Sequence, residues 1–357
     1  MDVLVLIPYM QGWAPGQRSS IELWEKILEP SGIHLHYAPF ETPRLHSLQC
    51  QRGQWLGKIS EMAHAYKKRL SLLKDLDRFD CVFVYREAAL IGPAFLERLI
   101  AKRKTPIIYC LDDPLYIPYI SPFNGVLSYL KFFKKVASIC RMSQVVIVNS
   151  SMIKEYAERY NANVREIPSL VDTDEYVFRE RTVIPDPVCV GWTGSASTVN
   201  NLRVIEEALR MLKQKVKHRV HLIGSQNFHL PGVDYTSQGW RRETEVEDLR
   251  QIDVGLIPLP KTDWNSRKFF LKSVQYMALG IPPVASPIGS NAEVIDHGVT
   301  GFLARSEKEW VDYLALLVRD SSLRLKMAEN GARVAEEKYS LKAHRDRIIE
   351  AFKSVSR

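Results

Sequence analysis

Short apolar runs alternate with helix-length amphipathic stretches along most of this chain, and that alternation narrows the fold more than any other feature. Val3 to Pro8, Ile33 to Tyr37, Cys81 to Tyr85, Pro106 to Leu111 and Val145 to Asn149 read as strands. The stretches Ile21 to Leu28, Gln54 to Leu76, Pro93 to Ala101, Gly125 to Cys140 and Ser151 to Tyr160 read as helices between and after them. Apolar strands separated by helices belong to a parallel sheet covered on both faces. The first part of the chain is therefore expected to be one doubly wound α/β domain.

The periodicity stops between Pro168 and Pro187, where Asp, Glu, Pro and Arg dominate, so a domain junction is expected there. A second series follows, with strands at Val188 to Thr193, Val220 to Ile223, Ile252 to Leu259, Pro283 to Ser286 and Gly301 to Leu303. Its helices are expected at Val199 to Leu212, Glu243 to Arg250, Glu307 to Arg319 and Ser321 to Lys338, with a last one at Leu341 to Phe352. The expected organisation is a first domain over residues 1–170, a linker over 171–186, a second domain over 187–338 and a closing helix within 339–357 that packs back on the first domain. A chain of 357 residues with 46% hydrophobic content is long enough for two cores.

A formal charge of +8 favours anionic partners such as nucleotides or lipid headgroups, but neither half carries a basic arm, which argues against nucleic acid. The five cysteines, Cys50, Cys81, Cys110, Cys140 and Cys189, form no C-x-x-C pair and read as reduced core residues of a cytoplasmic protein. No apolar run is long enough to span a membrane, and Val3 to Pro8 is too short for a signal peptide. His34 and His36 alternate along a strand, the other histidines are dispersed, and no set of residues has metal-ligand spacing. Asp172-Thr173-Asp174 lies at the junction and reads as a turn or a cap.

The stretch Pro258 to Ser286 carries the most chemistry. Its helix is expected to end at Gly280, with Pro282 and Pro283 blocking continuation. Lys268, Lys272 and Gln275 fall on one stripe of that helix, and Arg267, Lys268 and Lys272 occupy its first turns. Cations are the wrong sign for a helix N-terminus, and a bound phosphate would reverse the penalty. A solvated basic edge is the competing reading. The loop Gly191-Trp192-Thr193-Gly194-Ser195 precedes a helix that Ser197 or Thr198 can cap, and it reads either as a phosphate loop or as an ordinary tight turn. Trp240, beside Gly239, reads either as a base-stacking residue or as core.

The segment KFFLKSVQYMALGIPPVASPIGSNAEVIDHGVTGFLA, with VGWTGSASTVNNL and VDTDEY, resembles glycosyltransferase family 4. That resemblance implies the GT-B fold, two Rossmann-like doubly wound domains facing across a cleft. It also implies transfer of a sugar from a nucleotide-sugar donor, UDP- or GDP-linked, with retention and with no required metal or other cofactor. By position it places Lys268, Lys272 and the backbone N–H groups of Phe269 and Phe270 at the donor diphosphate; Gly194 and Ser195, read as a phosphate loop, and Trp240, read as stacking on the base, are the further donor-site candidates. Gln275 falls where many members have a ribose-binding glutamate, and Arg267 falls where they have the first glutamate of the pair.

In the first domain, Asp112 aligns where many members have a histidine near the transferred sugar, with Asp113 next to it. Asp112, Asp113 and Lys272 are thus the expected catalytic residues, although Asp113 also reads as a turn residue before Pro114. Arg18, Arg86 and Glu87 are expected acceptor contacts. The expected acceptor is a sugar, a lipid-linked acceptor or a small molecule, in polysaccharide, glycolipid or glycoconjugate synthesis. Phe123 to Arg141, with Lys131, Lys134 and Lys135, reads either as a surface for anionic membrane or as a core helix with a basic solvent face; Lys67, Lys68 and Arg69 add to it. The alternatives to a transferase are a nucleotide-sugar epimerase of the same fold and a noncatalytic nucleotide-binding or assembly protein.

Overall fold

The computed structural model describes residues 1–49, 51, 53–120, 125–180, 186–195, 197–226 and 228–355. Cys50, Phe123 and residues 181–185 of the expected linker lie outside the described residues. The chain divides into two compact units. The first comprises Met1–Ser169, Arg267–Phe269 and His344–Arg357, and the second Leu170–Ser266 and Phe270–Ala343.

In the first unit the order is β1 (Asp2–Ile7), α1 (Ile21–Leu28), β2 (His34–Pro39), α2 (Trp55–Leu72), β3 (Cys81–Tyr85), α3 (Phe95–Lys102), β4 (Ile107–Leu111), α4 (Lys135–Met142), β5 (Val145–Val148), α5 (Ser151–Glu158) and β6 (Val164–Glu166). The six strands pair in parallel in the order β2-β1-β3-β4-β5-β6. Every residue of β3, β4 and β5 is buried, which is why these strands read as unbroken apolar runs. The strand order reverses between β1 and β3, and crevices at such a switch point, beyond the carboxyl ends of the strands, are where α/β sheets hold ligands.

Arg69 of α2 is buried at 2% exposure, so it does not belong to a basic surface as the sequence suggested. Its guanidinium donates to the backbone carbonyls of Ile7 (2.8 Å), Ala88 (2.9 Å) and Ala38. It thereby fastens the carboxyl ends of β1 and β2 and the loop after β3. Burial pushes its pKa down to about 9, so the cation is held by carbonyl dipoles. Lys135 is likewise not a surface cation. It is buried, bonded to the carbonyl of Ala89 (2.9 Å) and paired with Glu87 (2.8 Å), so α4 turns one of its lysines inward. A closing helix, α11 (Arg345–Lys353), contacts α1, and Phe352 stacks on Phe83 at 5.5 Å.

The second unit runs β7 (Cys189–Thr193), α6 (Glu206–Lys215), β8 (Arg219–Ile223), β9 (Tyr235–Gln238), α7 (Glu245–Leu249), β10 (Val254–Ile257), α8 (Leu271–Ala278), β11 (Pro283–Ala285), β12 (Phe302–Leu303), α9 (Glu307–Arg319) and α10 (Ser321–Tyr339). Its strands are parallel in the order β12-β11-β10-β7-β8-β9, with the reversal between β10 and β7. Tyr276 of α8 lies over that reversal. A Cβ on Gly255 would fall 2.4 Å from its ring, and its hydroxyl accepts the Thr193 N–H at 3.1 Å. Both sheets are thus six-stranded, parallel and helix-covered, as the α/β expectation required.

α8 starts later than the sequence suggested. Residues Asn265–Arg267 form a 3-10 turn, and Phe270 is extended (φ −111°, ψ 93°), so Arg267 and Lys268 precede the helix and only Lys272 lies in its first turn. The cause is local. Phe269 and Phe270 bury consecutive rings, and the Phe270 N–H donates to Ser290 Oγ at 2.8 Å instead of entering a helical ladder. Cys81, Cys110, Cys140 and Cys189 are buried and form no disulfide with one another. Among the described residues no helix is long and apolar enough to cross a membrane.

Candidate functional site

β3 and β4 pair with Tyr85 opposite Cys110, and the Arg86 N–H continues the ladder to the Cys110 carbonyl at 2.8 Å. That register sets the residue after β3 beside the residues after β4. Arg86 adopts a left-handed backbone (φ 61°), a conformation that costs a non-glycine residue about 1 kcal/mol or more and tends to persist where surroundings impose it. Its guanidinium reaches Asp112 with Nε at 2.6 Å from Oδ1 and Nη2 at 2.9 Å from Oδ2, and Nη2 lies 2.5 Å from Asp113 Oδ2. The Tyr85 hydroxyl donates to Asp112 Oδ2 as well.

Asp112 is therefore held on both oxygens. Asp113 has Arg86 on one oxygen and Lys268 Nζ on the other, at 2.8 Å. Two carboxylates and two cations make the cluster electrically neutral, as burial demands. Burial opposes charge on Asp113, but Arg86 and Lys268 outweigh it and hold the carboxyl below the usual range. Burial pushes the Tyr85 phenol well above its ordinary value, which keeps it a donor to Asp112. Gly16 completes the packing, since a Cβ there would fall 2.5 Å from Asp112 Oδ2 and 2.7 Å from the Tyr85 hydroxyl. Arg18 sits half-buried in the same helical turn, Pro15–Arg18. Glu87 pairs with Lys135 instead of entering the cluster.

Asp113 carries a pH prediction. A carboxyl whose folded pKa is depressed contributes stability above its unfolded value, near 3.9, and loses it as pH falls through the folded value. Urea midpoints should therefore decline below about pH 4, and part of that decline should vanish in Asp113→Asn. An Asn variant with the wild-type acid slope would remove Asp113 as a contributor.

In the second unit, the carboxyl ends of β7, β8 and β9 bring Gly194, Gly224 and Trp240 together. Gly224 (φ +99°) lies so near that a Cβ would fall 1.7 Å from the Gly194 carbonyl oxygen and 3.5 Å from Trp240 Cβ. Trp192 is buried under the loop, and its ring would meet a Gly194 Cβ at 2.3 Å, so the loop can close only on glycine. Ser195 gives its N–H to Thr198 Oγ1 at 3.1 Å. Thr198 occupies the cap position of the following 3-10 helix, Val199–Ile205, but its hydroxyl bonds back to Ser195 and makes no cap bond.

Lys272 Nζ stands 4.6 Å from the Trp192 ring centroid, a cation–π distance. The ring that fills the floor of the glycine loop thus also seats the lysine at the N-terminus of α8, so Lys272 and Gly194 pack against the same indole beside the strand reversal. Gln275 behaves differently. It is buried, and its amide donates to the Tyr176 hydroxyl at 2.8 Å and to Glu245 Oε1 at 3.4 Å. Sequence reasoning missed Tyr85, Trp192, Tyr176 and Glu245. Of these only Trp192 carried a signal, as the large aromatic inside the candidate loop Gly191–Ser195, where it was given no role of its own.

Among the described residues no group of three or more His, Cys, Asp and Glu side chains is arranged to hold a metal. A surface hollow of about 440 Å³, lined by residues such as Lys213, Lys217 and Val220, includes none of the site residues.

Residues 187–320 match the family model described as glycosyl transferases group 1. No curated protein matches the chain in sequence. Solved structures do match in fold. HepE of Anabaena, in complex with UDP-glucose, is 17% identical over 99% of this chain and 100% of its own, with a TM-score of 0.69. Sucrose-phosphate synthase of Thermosynechococcus elongatus gives 13%, 99% and 98%, with a TM-score of 0.71. A glycosyltransferase of Rickettsia africae gives 14%, 99% and 98%, with a TM-score of 0.70. The chain has the GT-B fold, its second unit carries the match to group 1 glycosyl transferases over residues 187–320, and the enzyme class these findings support is a glycosyltransferase.

Proposed function

We propose that the chain transfers a sugar from a UDP-linked donor to a hydroxyl acceptor with retention at the anomeric carbon, in the cytoplasm and without a required metal. The observation that carries the donor assignment is Lys272, seated on Trp192 at the first turn of α8 beside Gly194, inside the matched region. A cation there sits where backbone N–H groups already present positive charge, an arrangement suited to a diphosphate. HepE, of the same fold, is recorded with UDP-glucose and with UDP and glucose, which supports UDP over GDP.

In the reaction the bond from the anomeric carbon to the diphosphate oxygen breaks and a bond to the acceptor oxygen forms, while the acceptor proton passes to the departing diphosphate oxygen and the nucleoside diphosphate leaves. Lys272 stabilises the charge that develops on the leaving diphosphate. Asp113 is the carboxylate we assign to the reacting sugar, because its partner Lys268 is a third exposed, whereas the partners of Asp112 are buried or nearly so. Asp112, saturated by Arg86 and Tyr85, is a positioning residue for Arg86. Gly194, Ser195, Trp240 and Gln275 stay with the donor, although the Phe270 N–H and the Gln275 amide already have protein partners. Arg18 stays with the acceptor.

The test is release of UDP by purified protein given UDP-glucose or UDP-N-acetylglucosamine, with and without sugar acceptors and with and without a chelator. Acceptor-stimulated release that survives chelation is expected. Conversion of the donor to an isomeric nucleotide sugar with no net transfer would replace this reading with an epimerase.

A further inference from the structure

The connections that leave the carboxyl ends of the first sheet expose large apolar side chains. Trp55, Leu56 and Ile59 open α2, after β2, at 45%, 86% and 65% exposure. Tyr129, Leu130 and Phe132 follow β4, in and just after the 3-10 helix Gly125–Lys131, at 56%, 45% and 48%. α2, further along its length, and the 3-10 segment both bond to the loop leaving β3. The Tyr66 hydroxyl of α2 donates to the Ile91 carbonyl, and the Gly92 N–H donates to the Leu130 carbonyl at 2.6 Å. Among the described residues of the second unit, the exposed large apolar side chains are scattered aliphatics with no aromatic.

Charge is segregated along the same connections. No aspartate or glutamate occurs from Thr42 to Ser60 or from Pro114 to Lys154, whereas Lys58, Lys131 and Lys134 do. Lys58 Nζ lies 4.9 Å over the Trp55 ring, an aromatic–lysine pair of the kind found at the level of lipid headgroups. Exposed aromatic and aliphatic groups interleaved with lysines, with the neighbouring acid Glu61 taken up by Arg44 at 3.5 Å and Thr42 at 2.9 Å, match an anionic bilayer surface in both hydrophobicity and sign.

We propose that this rim of the first unit docks on an anionic lipid bilayer, with Trp55, Leu56, Ile59, Tyr129, Leu130 and Phe132 entering the headgroup region and Lys58, Lys131 and Lys134 facing lipid phosphates. The docking rests on the glycosyl-transfer reading only for its purpose, which is to present the first unit to an acceptor anchored in that bilayer. The surface itself is independent of the donor site.

Flotation of the full chain with phosphatidylcholine vesicles, alone or mixed with phosphatidylglycerol, tests it. Binding should be at least about tenfold stronger to the mixed vesicles and should weaken with salt. The double variants Leu56→Glu/Ile59→Glu and Tyr129→Ser/Phe132→Ser alter exposed positions, and each should cut partitioning at least about tenfold while UDP release with a soluble acceptor is unchanged. Absence of flotation at low salt, or equal flotation of the variants, would overturn the proposal. So would a wild-type dimer that the same substitutions dissociate, since a second copy would then cover the rim. Wild-type protein that floats but never releases UDP would instead strike the glycosyl-transfer reading and leave the surface standing.

Discussion

Asp112→Ala should destabilise the first unit by about 3–5 kcal/mol, because it removes one side of a buried ion pair and leaves the other behind. Asp112 is 6% exposed and takes two guanidinium bonds and a phenol. Without it Arg86 keeps Asp113 alone, and the Tyr85 hydroxyl is left buried with its acceptor gone, a further desolvation cost. Arg86 is also the residue in a left-handed conformation, so its backbone loses the contact that helps impose that shape. Thermal unfolding of a two-unit chain need not be two-state, so the transition of the first unit has to be resolved by calorimetry. A loss in that transition alone, with the second unknown to the change, is the expected pattern. Turnover should fall with unfolding temperature, because Arg86 and Asp113 lose their geometry together. Tyr85→Phe provides the scale: it deletes one hydroxyl from the same oxygen and should cost about 1–3 kcal/mol. If Asp112→Ala costs no more than Tyr85→Phe, the arginine bond is not what organises the cluster.

How far the chain could be read from its letters depends on what kind of contact is asked about. β3, β4 and β5 were legible because a strand buried on both faces must be apolar at nearly every position. β6 (Val-Arg-Glu) and β9 (Tyr-Thr-Ser-Gln) were not, because each closes one edge of its sheet, is only half-buried, and keeps polar side chains. The start of α8 was misplaced because Lys268 and Lys272 have helical spacing, whereas the Ser290 hydroxyl that draws the Phe270 N–H out of the ladder comes from twenty residues further on. Arg69 and Lys135 looked like surface cations for the same reason. The carbonyls they satisfy belong to strand ends and loops that only the tertiary fold brings to them.

Within the candidate site the identities were legible and the partnerships were not. Asp112, Asp113 and Arg86 stand out after apolar strands, yet nothing local says that they meet. That follows from β3 and β4 being neighbours in a specific register. Glu87, one residue further, is turned to Lys135 by the same backbone. Local spacing finds groups that share an element, and pairing across elements has to wait for the sheet order.

Lys272→Ala should separate stability from binding more sharply than any other change. Removing a cation from a helix N-terminus relieves an unfavourable dipole interaction of about 0.3–1 kcal/mol. The same substitution forfeits the contact with the Trp192 ring, about 0.5–1 kcal/mol at a partly exposed site. These terms oppose each other and are of similar size, so the melting temperature should barely move. Affinity for UDP should fall steeply, because a charge-assisted hydrogen bond in a partly desolvated site contributes about 1.5–3 kcal/mol, equivalent to roughly tenfold to more than a hundredfold in Kd. Trp192→Phe serves as the companion: it keeps an aromatic floor under the loop and should weaken UDP binding less than loss of the lysine does. Calorimetric titration of UDP into both variants, with melting curves on the same samples, gives the answer. A Lys272→Ala protein that binds UDP as tightly as wild type would mean that the lysine caps a tryptophan and nothing more, and the diphosphate would have to be sought away from the N-terminus of α8.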